Sequence, residues 1–361
     1  MPRPVPRGAN RKPGPERRRK SRATAARTAP ARHSVVYPST SVPSTDSPGP
    51  DASFDWRRKG LRFHALGHFL RTTFGTAVRK IAVDAGLGCP NRDGTLGSGG
   101  CLFCNPASFS AARRAGAGSL DEQIASAMAR ARDSGQAARW IVYFQPGTNT
   151  YGRLDRLAAL FEAALAHAGV VGLAVGTRPD CLGEDVLDLL EAVSRRTWLL
   201  VELGLQTIDD ELLGWLRRGH DYAAFAHAVE RAHRRGLRLG AHLIFGLPGE
   251  TTDRLHATAD RLAGLGVETV KLHHLHVVRG TPLERLWADG ALRLPSLDQY
   301  VGWVADFLER LPGRCVVDRL SGDAPPEWLV APDWGADRQR VRRAVLAELE
   351  RRDTWQGRLV D

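Results

Sequence analysis

Three of the chain's five cysteines fall in one sixteen-residue run, CPNRDGTLGSGGCLFC, as Cys89, Cys101 and Cys104. A closed structural zinc site takes four ligands, so an odd cluster of three thiolates points to a metal centre with one position left open for chemistry. Gly94, Gly97, Gly99 and Gly100 let the intervening backbone fold tightly enough to bring the sulfurs together. Soft thiolates select zinc, copper(I) or iron–sulfur clusters. Zinc would need a fourth ligand, for which the i, i+4 pair His64/His68 is available. A 4Fe-4S cluster held by three thiolates would instead leave one iron free for a substrate or cofactor.

Other residues stand where chemistry or packing would each explain them. Glu202 interrupts an apolar run, and a carboxylate buried there must be paired or useful. A cofactor hydroxyl or ammonium would satisfy it, and so would an internal salt bridge, with Arg178 as a candidate partner. Arg178 can also grip a carboxylate bidentately, on a cofactor or on the protein. His242, His273, His274 and His276 sit on two apolar stretches. Strand alternation puts His274 and His276 on one face and His273 on the other, so only some are expected to reach a common site. Cys181 is either a thiol able to give hydrogen to a substrate radical or a small buried apolar residue. Cys315, in a strand-like region from Arg314 to Leu320, has the stronger packing case and no assigned role. Arg217-Arg218-Gly219-His220, Arg234-Arg235 and Arg338, Arg340, Arg342 and Arg343 are basic groups of the kind that usually form solvated faces. Sharing one rim, they would bind RNA phosphates with steep salt dependence.

The elements that must position these residues follow from periodicity. Short apolar runs at 80–83, 140–144, 171–175, 199–203, 239–244 and 270–273 read as strands. Amphipathic stretches at 120–132, 153–168, 184–194, 210–216, 222–235 and 252–265 read as helices between them. That alternation predicts parallel strands joined by right-handed crossovers. Cys89, the Gln145-Pro146-Gly147-Thr148-Asn149 turn, Arg178 to Cys181, Gln206, Gly246 and His276 all come just after a strand. In a parallel barrel the loops at that end build one shared site. The expected fold is α/β, a partial (β/α)6 TIM-type barrel with a C-terminal helical extension; a doubly wound open sheet is the competitor. The expected divisions are a tail and linker over 1–52, the barrel over 53–285 and an α-rich extension over 286–361 that closes the barrel's side.

With 361 residues and 43% hydrophobic content, the chain can fill a sizeable core. Its net charge of +11 is uneven. Residues 1–33 carry eleven Lys and Arg against Glu16, which leaves a body of about +1. The Pro/Arg-rich tail lacks the apolar surface to order itself and is expected to be disordered. No apolar stretch follows Arg17-Arg18-Arg19-Lys20, so no secretory or twin-arginine signal is expected. The apolar stretch from Leu157 to Gly176 is broken by Glu162, His167 and Gly169, and reads as a helix followed by a strand rather than a membrane span. An odd, clustered set of cysteines argues against a secreted disulfide framework, so a cytoplasmic location is expected.

The cluster loop, followed in order by GTRPDC, VELGLQT, RRGH, HLIFGLPGET and KLHHLHVVRGTPL, resembles the radical S-adenosylmethionine superfamily, in the branch related to the elongator catalytic subunit. DAGLGCPNRDGT, YFQPGTNTY, RLSGDAP and the terminal WQG resemble a bacterial family of that branch whose members lack the acetyltransferase domain. The resemblance runs from about residue 56 to the C-terminus. It implies that Cys89, Cys101 and Cys104 ligate three irons of a 4Fe-4S cluster. It also implies that the open iron binds S-adenosylmethionine, whose reductive cleavage yields a 5′-deoxyadenosyl radical. Gln145, Thr148, Asn149, Arg178, Glu202, Gln206 and Gly246 become candidates for cofactor binding, and Cys181, His273 and His276 for catalysis. Where the superfamily often carries Gly-Gly-Glu, this chain has Gln145 to Thr150, whose side-chain oxygens can accept an ammonium's hydrogens. The implied partners are an electron donor such as flavodoxin or ferredoxin and a transfer-RNA substrate modified at the wobble uridine. A metabolite or protein substrate, and a zinc or iron–sulfur binding module without turnover, are the alternatives.

Overall fold

A computed structural model describes residues 55–110, 118–133 and 139–361, so the expected disordered tail and linker lie outside the described residues. The strands are β1 (Val78–Val83), β2 (Arg139–Phe144), β3 (Val170–Thr177), β4 (Trp198–Gln206), β5 (Arg238–Phe245), β6 (Thr269–His274), β7 (Val277–Val278), β8 (Val316–Arg319) and β9 (Leu329–Ala331). Seven of them form one sheet in the order β1-β2-β3-β4-β5-β6-β8, with every neighbouring pair parallel. β7 and β9 pair antiparallel beside it. Strand order never reverses, whereas a doubly wound sheet reverses at a switch point. The sheet is therefore wound in one sense, as a half-barrel.

The six expected strands and six expected helices appear with bounds shifted by a few residues, for example Leu154–Leu165 and Thr252–Gly264. The stretch from Leu157 to Gly176 is a helix, a turn at Gly169 and β3. Among the described residues no helix is long and apolar enough to cross a membrane. β8, within the strand-like region from Arg314 to Leu320, joins the sheet as a seventh barrel strand beyond the six expected. It is only four residues long and ends in Asp318 and Arg319, so it lacks the continuous apolar run that marks its neighbours.

The outward strand residues Val83, Val142, Phe144, Val175, Val201 and Leu243 bury themselves under the helical layer through Leu157, Phe161, Leu187, Phe225 and Leu262. Inside the barrel, Leu70, Ile141, Ala174 and Leu200 fill the end near the strands' amino termini. Helix Leu66–Phe74 packs against both β1 and β8, the two free edges of the sheet, and Ala65 bridges to Val317. The seam is also spanned by Lys80 Nζ donating to Asp318 Oδ2 at 2.5 Å. Gln356 of the WQG run is a structural tie. It accepts from His64 N and donates to Pro312 O and Cys315 O, which holds the last turn against the base of β8.

Candidate active site at the carboxyl ends of the strands

Above the apolar plug, the inward side chains turn polar. Lys80 of β1 and Lys271 of β6 both donate to Glu202 of β4, the latter at 2.9 Å, and Lys271 also donates to Tyr143 Oη at 2.8 Å. Burial opposes ionisation of Glu202, but Lys271 and Lys80 together hold its carboxyl well below the ordinary 4.5. The anomaly in the apolar strand is thus an internal ion-pair network. Its partners are two lysines and not Arg178, the candidate that the sequence suggests.

On this polar floor opens a cavity of about 760 Å³, lined by all three clustered cysteines. Cys101 is buried and accepts from Arg218 Nη1 at 3.2 Å and Asn91 Nδ2 at 3.4 Å. Burial opposes loss of its proton, yet Arg218 and Asn91 hold the thiol below its usual range. Cys104 lacks such donors; burial, with Cys101 and Cys89 nearby, pushes it up to about 12. Among the described residues, no three His, Cys, Asp or Glu side chains gather closely enough to hold a single metal ion. The three thiols share this cavity, where a multi-iron cluster would take each thiolate on a different iron. The nominated zinc ligands also lie elsewhere. His64 precedes the helix and stacks on Trp56 at the opposite end of the barrel, with ring centroids 6.2 Å apart.

Arg218 is a correction. Its RRGH run reads as a solvated charge cluster, but Arg217 takes a left-handed turn at φ 55° and Arg218 is buried, donating also to Gly204 O at 2.7 Å. No periodicity signals this. The one hint is a glycine directly after it, since a Cβ at Gly219 would come within 3.0 Å of Asn91 Oδ1.

The expected cofactor-binding residues separate into two groups. Gln145, Thr148, Arg178, Glu202 and Gln206 line the cavity. Buried and without a partner there are Thr148 Oγ1, Gln206 Oε1 and Arg178 Nη1. Gln206 holds its position at a left-handed φ of 76°, a strained conformation of the sort that marks functional sites. Arg178 is otherwise fixed by Asp180, with two contacts of 2.9 Å, and by Arg218 O. Small residues keep the space open: a Cβ at Gly204 would lie 2.8 Å from Gln206 Nε2.

Asn149 and Gly246 do not line the cavity. The Asn149 amide donates to Phe144 O and Gly176 O and so ties the loops after β2 and β3 together. Gly246, at φ 87°, faces Pro295, and its N–H closes a turn onto Glu250. Cys181 also stays outside the lining, and burial pushes its thiol up to about 12. Asn149 and Gly246 thus sit in turns beside the cavity, and Cys181 packs next to it, apart from the candidates that line it.

All four histidines line the cavity, where alternation allows only some. β6 ends at His274, and the chain then leaves the sheet, bringing His276 within 4.5 Å of His273 and 5.4 Å of His274 between ring centroids. His273 and His276 are thus where the sequence places them, while His242, His274, Asn91 and Arg319 are cavity residues to which it gives no role.

The comparisons with known proteins agree with this geometry. The profile of the Radical SAM superfamily matches residues 86–262, and that of the Radical_SAM C-terminal domain matches residues 267–351. The YtqA protein of Bacillus subtilis is 38% identical over 305 residues, covering 84% of this chain and 95% of its own length. A tRNA uridine(34) acetyltransferase of Dehalococcoides mccartyi is 28% identical over 198 residues, 54% of this chain and 42% of its own. The structure of an archaeal Methanocaldococcus infernus Elp3 superposes with a TM-score of 0.61 at 17% identity, over 77% of this chain and 64% of that one, and so shares the fold. Barrel, cysteine wall and C-terminal segment thus meet in one assignment: the protein belongs to the radical SAM superfamily, as an enzyme of the YtqA and YhcC family distantly related to Elp3.

Proposed function

We propose that Cys89, Cys101 and Cys104 hold a 4Fe-4S cluster and that S-adenosylmethionine lies beside it against β2 to β4. The observation that carries this reading is the lining of one cavity by three free thiols and by the buried, unpartnered oxygens of Thr148 and Gln206. Bound together, the two cofactors supply reductive cleavage of a carbon–sulfur bond and the 5′-deoxyadenosyl radical. The chain's own part is positional. Arg218 and Asn91 donate to the Cys101 sulfur and stabilise its thiolate. Thr148 and Gln206 offer acceptors to an ammonium or hydroxyl, in place of the carboxylate of Gly-Gly-Glu. Arg178 offers Nη1 to a carboxylate. Anaerobically reconstituted full-length protein, given a reductant, is expected to convert S-adenosylmethionine to 5′-deoxyadenosine; cofactor left intact beside a full cluster would oppose the proposal.

For the substrate we propose transfer RNA, modified at the wobble uridine. Support comes from the barrel's relationship to a tRNA uridine(34) acetyltransferase and from the cavity mouth. Arg92 and Arg338 line the cavity, and helix Arg338–Arg351 starts there with Arg340, Arg342 and Arg343 exposed. Replacing those three exposed arginines by glutamine is expected to weaken transfer-RNA binding and to flatten its logarithmic salt dependence by about 0.9 for each phosphate that is no longer neutralised. Mass spectrometry of nucleosides from a deletion strain and its parent would identify the altered base. An unchanged profile, with no RNA affinity at low salt, would favour a metabolite or protein substrate.

A further inference from the structure

The cavity has a second wall, built by β5, β6 and the RLSGDAP run that begins at the end of β8. Arg319, Asp323, Ala324 and Pro325 of that run line the cavity beside His242, His273, His274 and His276. Two glycines are shaped to this wall. A Cβ at Gly322 would sit 2.0 Å from His273 Nε2, and one at Gly335 would sit 2.4 Å from His274 Nε2, so each ring sets its Nε2 edge against bare backbone. His274 stacks further on Trp334, with ring centroids 4.6 Å apart. His273 Nδ1 also donates to His274 O at 2.6 Å, so both rings are held in place.

The wall is rich in unfilled polar capacity. Arg319 Nε, His242 Nε2, both ring nitrogens of His274 and His276 Nδ1 are buried and without partners among the described residues. Among the described residues, no carboxylate pairs with the Arg319 guanidinium. The acids nearest the barrel axis are already engaged: Glu202 by Lys80 and Lys271, and Asp318 by Lys80 at 2.5 Å and Lys271 at 3.8 Å. Asp323 at the mouth pairs with Arg338 at 3.0 Å. Arg319 is only partly buried, but its Nε is withdrawn from water without an acceptor, a cost that an anionic ligand in the cavity would remove. The histidines add no competing charge, because burial, the neighbouring rings and Arg319 hold all four below their ordinary range, His276 at about 4.

We infer that this wall is the substrate's anchoring subsite, in which Arg319 takes an oxyanion of the substrate, phosphate or carboxylate, bidentately while the neutral imidazoles hydrogen-bond the atoms beside it. One fixed positive charge among uncharged donors and acceptors selects a single anionic group. The inference rests on the radical reading of the cysteine wall, since that reading makes the shared cavity the place where a substrate meets the cofactors.

The test uses the full-length reconstituted protein, with inorganic phosphate and acetate as probes. Phenylglyoxal labelling of arginines, mapped by mass spectrometry, is expected to be blocked at Arg319 by phosphate or acetate and not by S-adenosylmethionine. Calorimetric titration of the better probe is expected to weaken by about tenfold or more in R319Q and by less in R319K, which keeps the charge but loses the fork. Labelling of Arg319 undiminished by either anion, or equal affinity in wild type and R319Q, would overturn the inference. Protection by S-adenosylmethionine would overturn it too, by giving Arg319 to the cofactor's carboxylate. Protection needs no variant, so a misfolded R319Q leaves the question decidable. Iron and sulfide content, measured in parallel, reports separately on the cluster.

Discussion

The two walls of the cavity hold their arginines differently, although the cysteine wall too leaves Thr148 Oγ1, Gln206 Oε1, Arg178 Nη1 and Arg218 Nε without partners among the described residues. On the cysteine wall, Arg218 donates to Cys101 and Gly204 O, and Arg178 to Asp180 and Arg218 O, so most of the cations' hydrogen-bonding capacity is met by protein. On the histidine wall, Arg319 Nε and four ring nitrogens have no protein partner. Between the walls, the Lys80, Glu202, Lys271 and Asp318 floor is closed on itself. Saturated groups hold a scaffold in one shape, whereas unsatisfied ones in a cavity mark the place of a ligand.

The largest effect should come from Cys101→Ala, which removes a cluster ligand and leaves Arg218 and Asn91 without their sulfur acceptor. Iron content and 5′-deoxyadenosine formation are both expected to fall to background. Retention of either would break the assignment of the cysteine wall.

Next comes the floor. Glu202→Gln leaves Lys80 and Lys271 facing one another across a neutral amide, and breaking a buried pair this way costs about 3–5 kcal/mol. Chemical denaturation should show a loss of that order. If the variant folds normally but loses cofactor affinity, the floor belongs to the cofactor and the division of the cavity must be redrawn. The pH dependence has a definite sign. The Glu202 carboxyl is depressed in the fold, so its stabilisation is fully present above about pH 4.5 and is lost as pH falls toward the lower folded value. The wild type should therefore lose stability on acidification more steeply than Glu202→Gln.

Arg218→Met keeps much of the side chain's bulk and deletes its donors to Cys101. Iron retention is expected to drop about 10- to 100-fold, as for other groups that orient metal ligands. A variant with unchanged iron affinity would return Arg218 to a purely structural role. The smallest effect is expected for Gly322→Ala, whose added methyl displaces His273 at a cost of about 1–3 kcal/mol. It should leave iron content unchanged while weakening phosphate or acetate binding. Loss of iron instead would show that the walls are coupled.

How far the sequence exposes each region follows the same contrast. The six long strands and their helices are legible because continuous apolar runs and amphipathic periods alternate, and the cysteine wall because spacing along the chain reports thiolate clustering. β8 is legible only as a strand-like region, not as a barrel strand, because Asp318 and Arg319 occupy half of its four residues. Arg218 escapes because nothing local distinguishes a buried arginine from a solvated one until its acceptor, 117 residues away in sequence, is known. Strand alternation misjudges the histidines because it stops at His274, where β6 ends. The apolar run around Glu202 similarly says that this carboxylate needs a partner, but not that two lysines from β1 and β6 meet it.

The central claim is that the three thiolates hold a cluster with one iron open to S-adenosylmethionine. Electron paramagnetic resonance of the anaerobically reconstituted, dithionite-reduced protein, recorded before and after addition of S-adenosylmethionine, tests it most directly. The account predicts about four irons and four sulfides per chain and a cluster signal whose g-values shift when the cofactor is added. Stoichiometric zinc without iron uptake, or a 4Fe-4S signal unmoved by saturating cofactor, would contradict it.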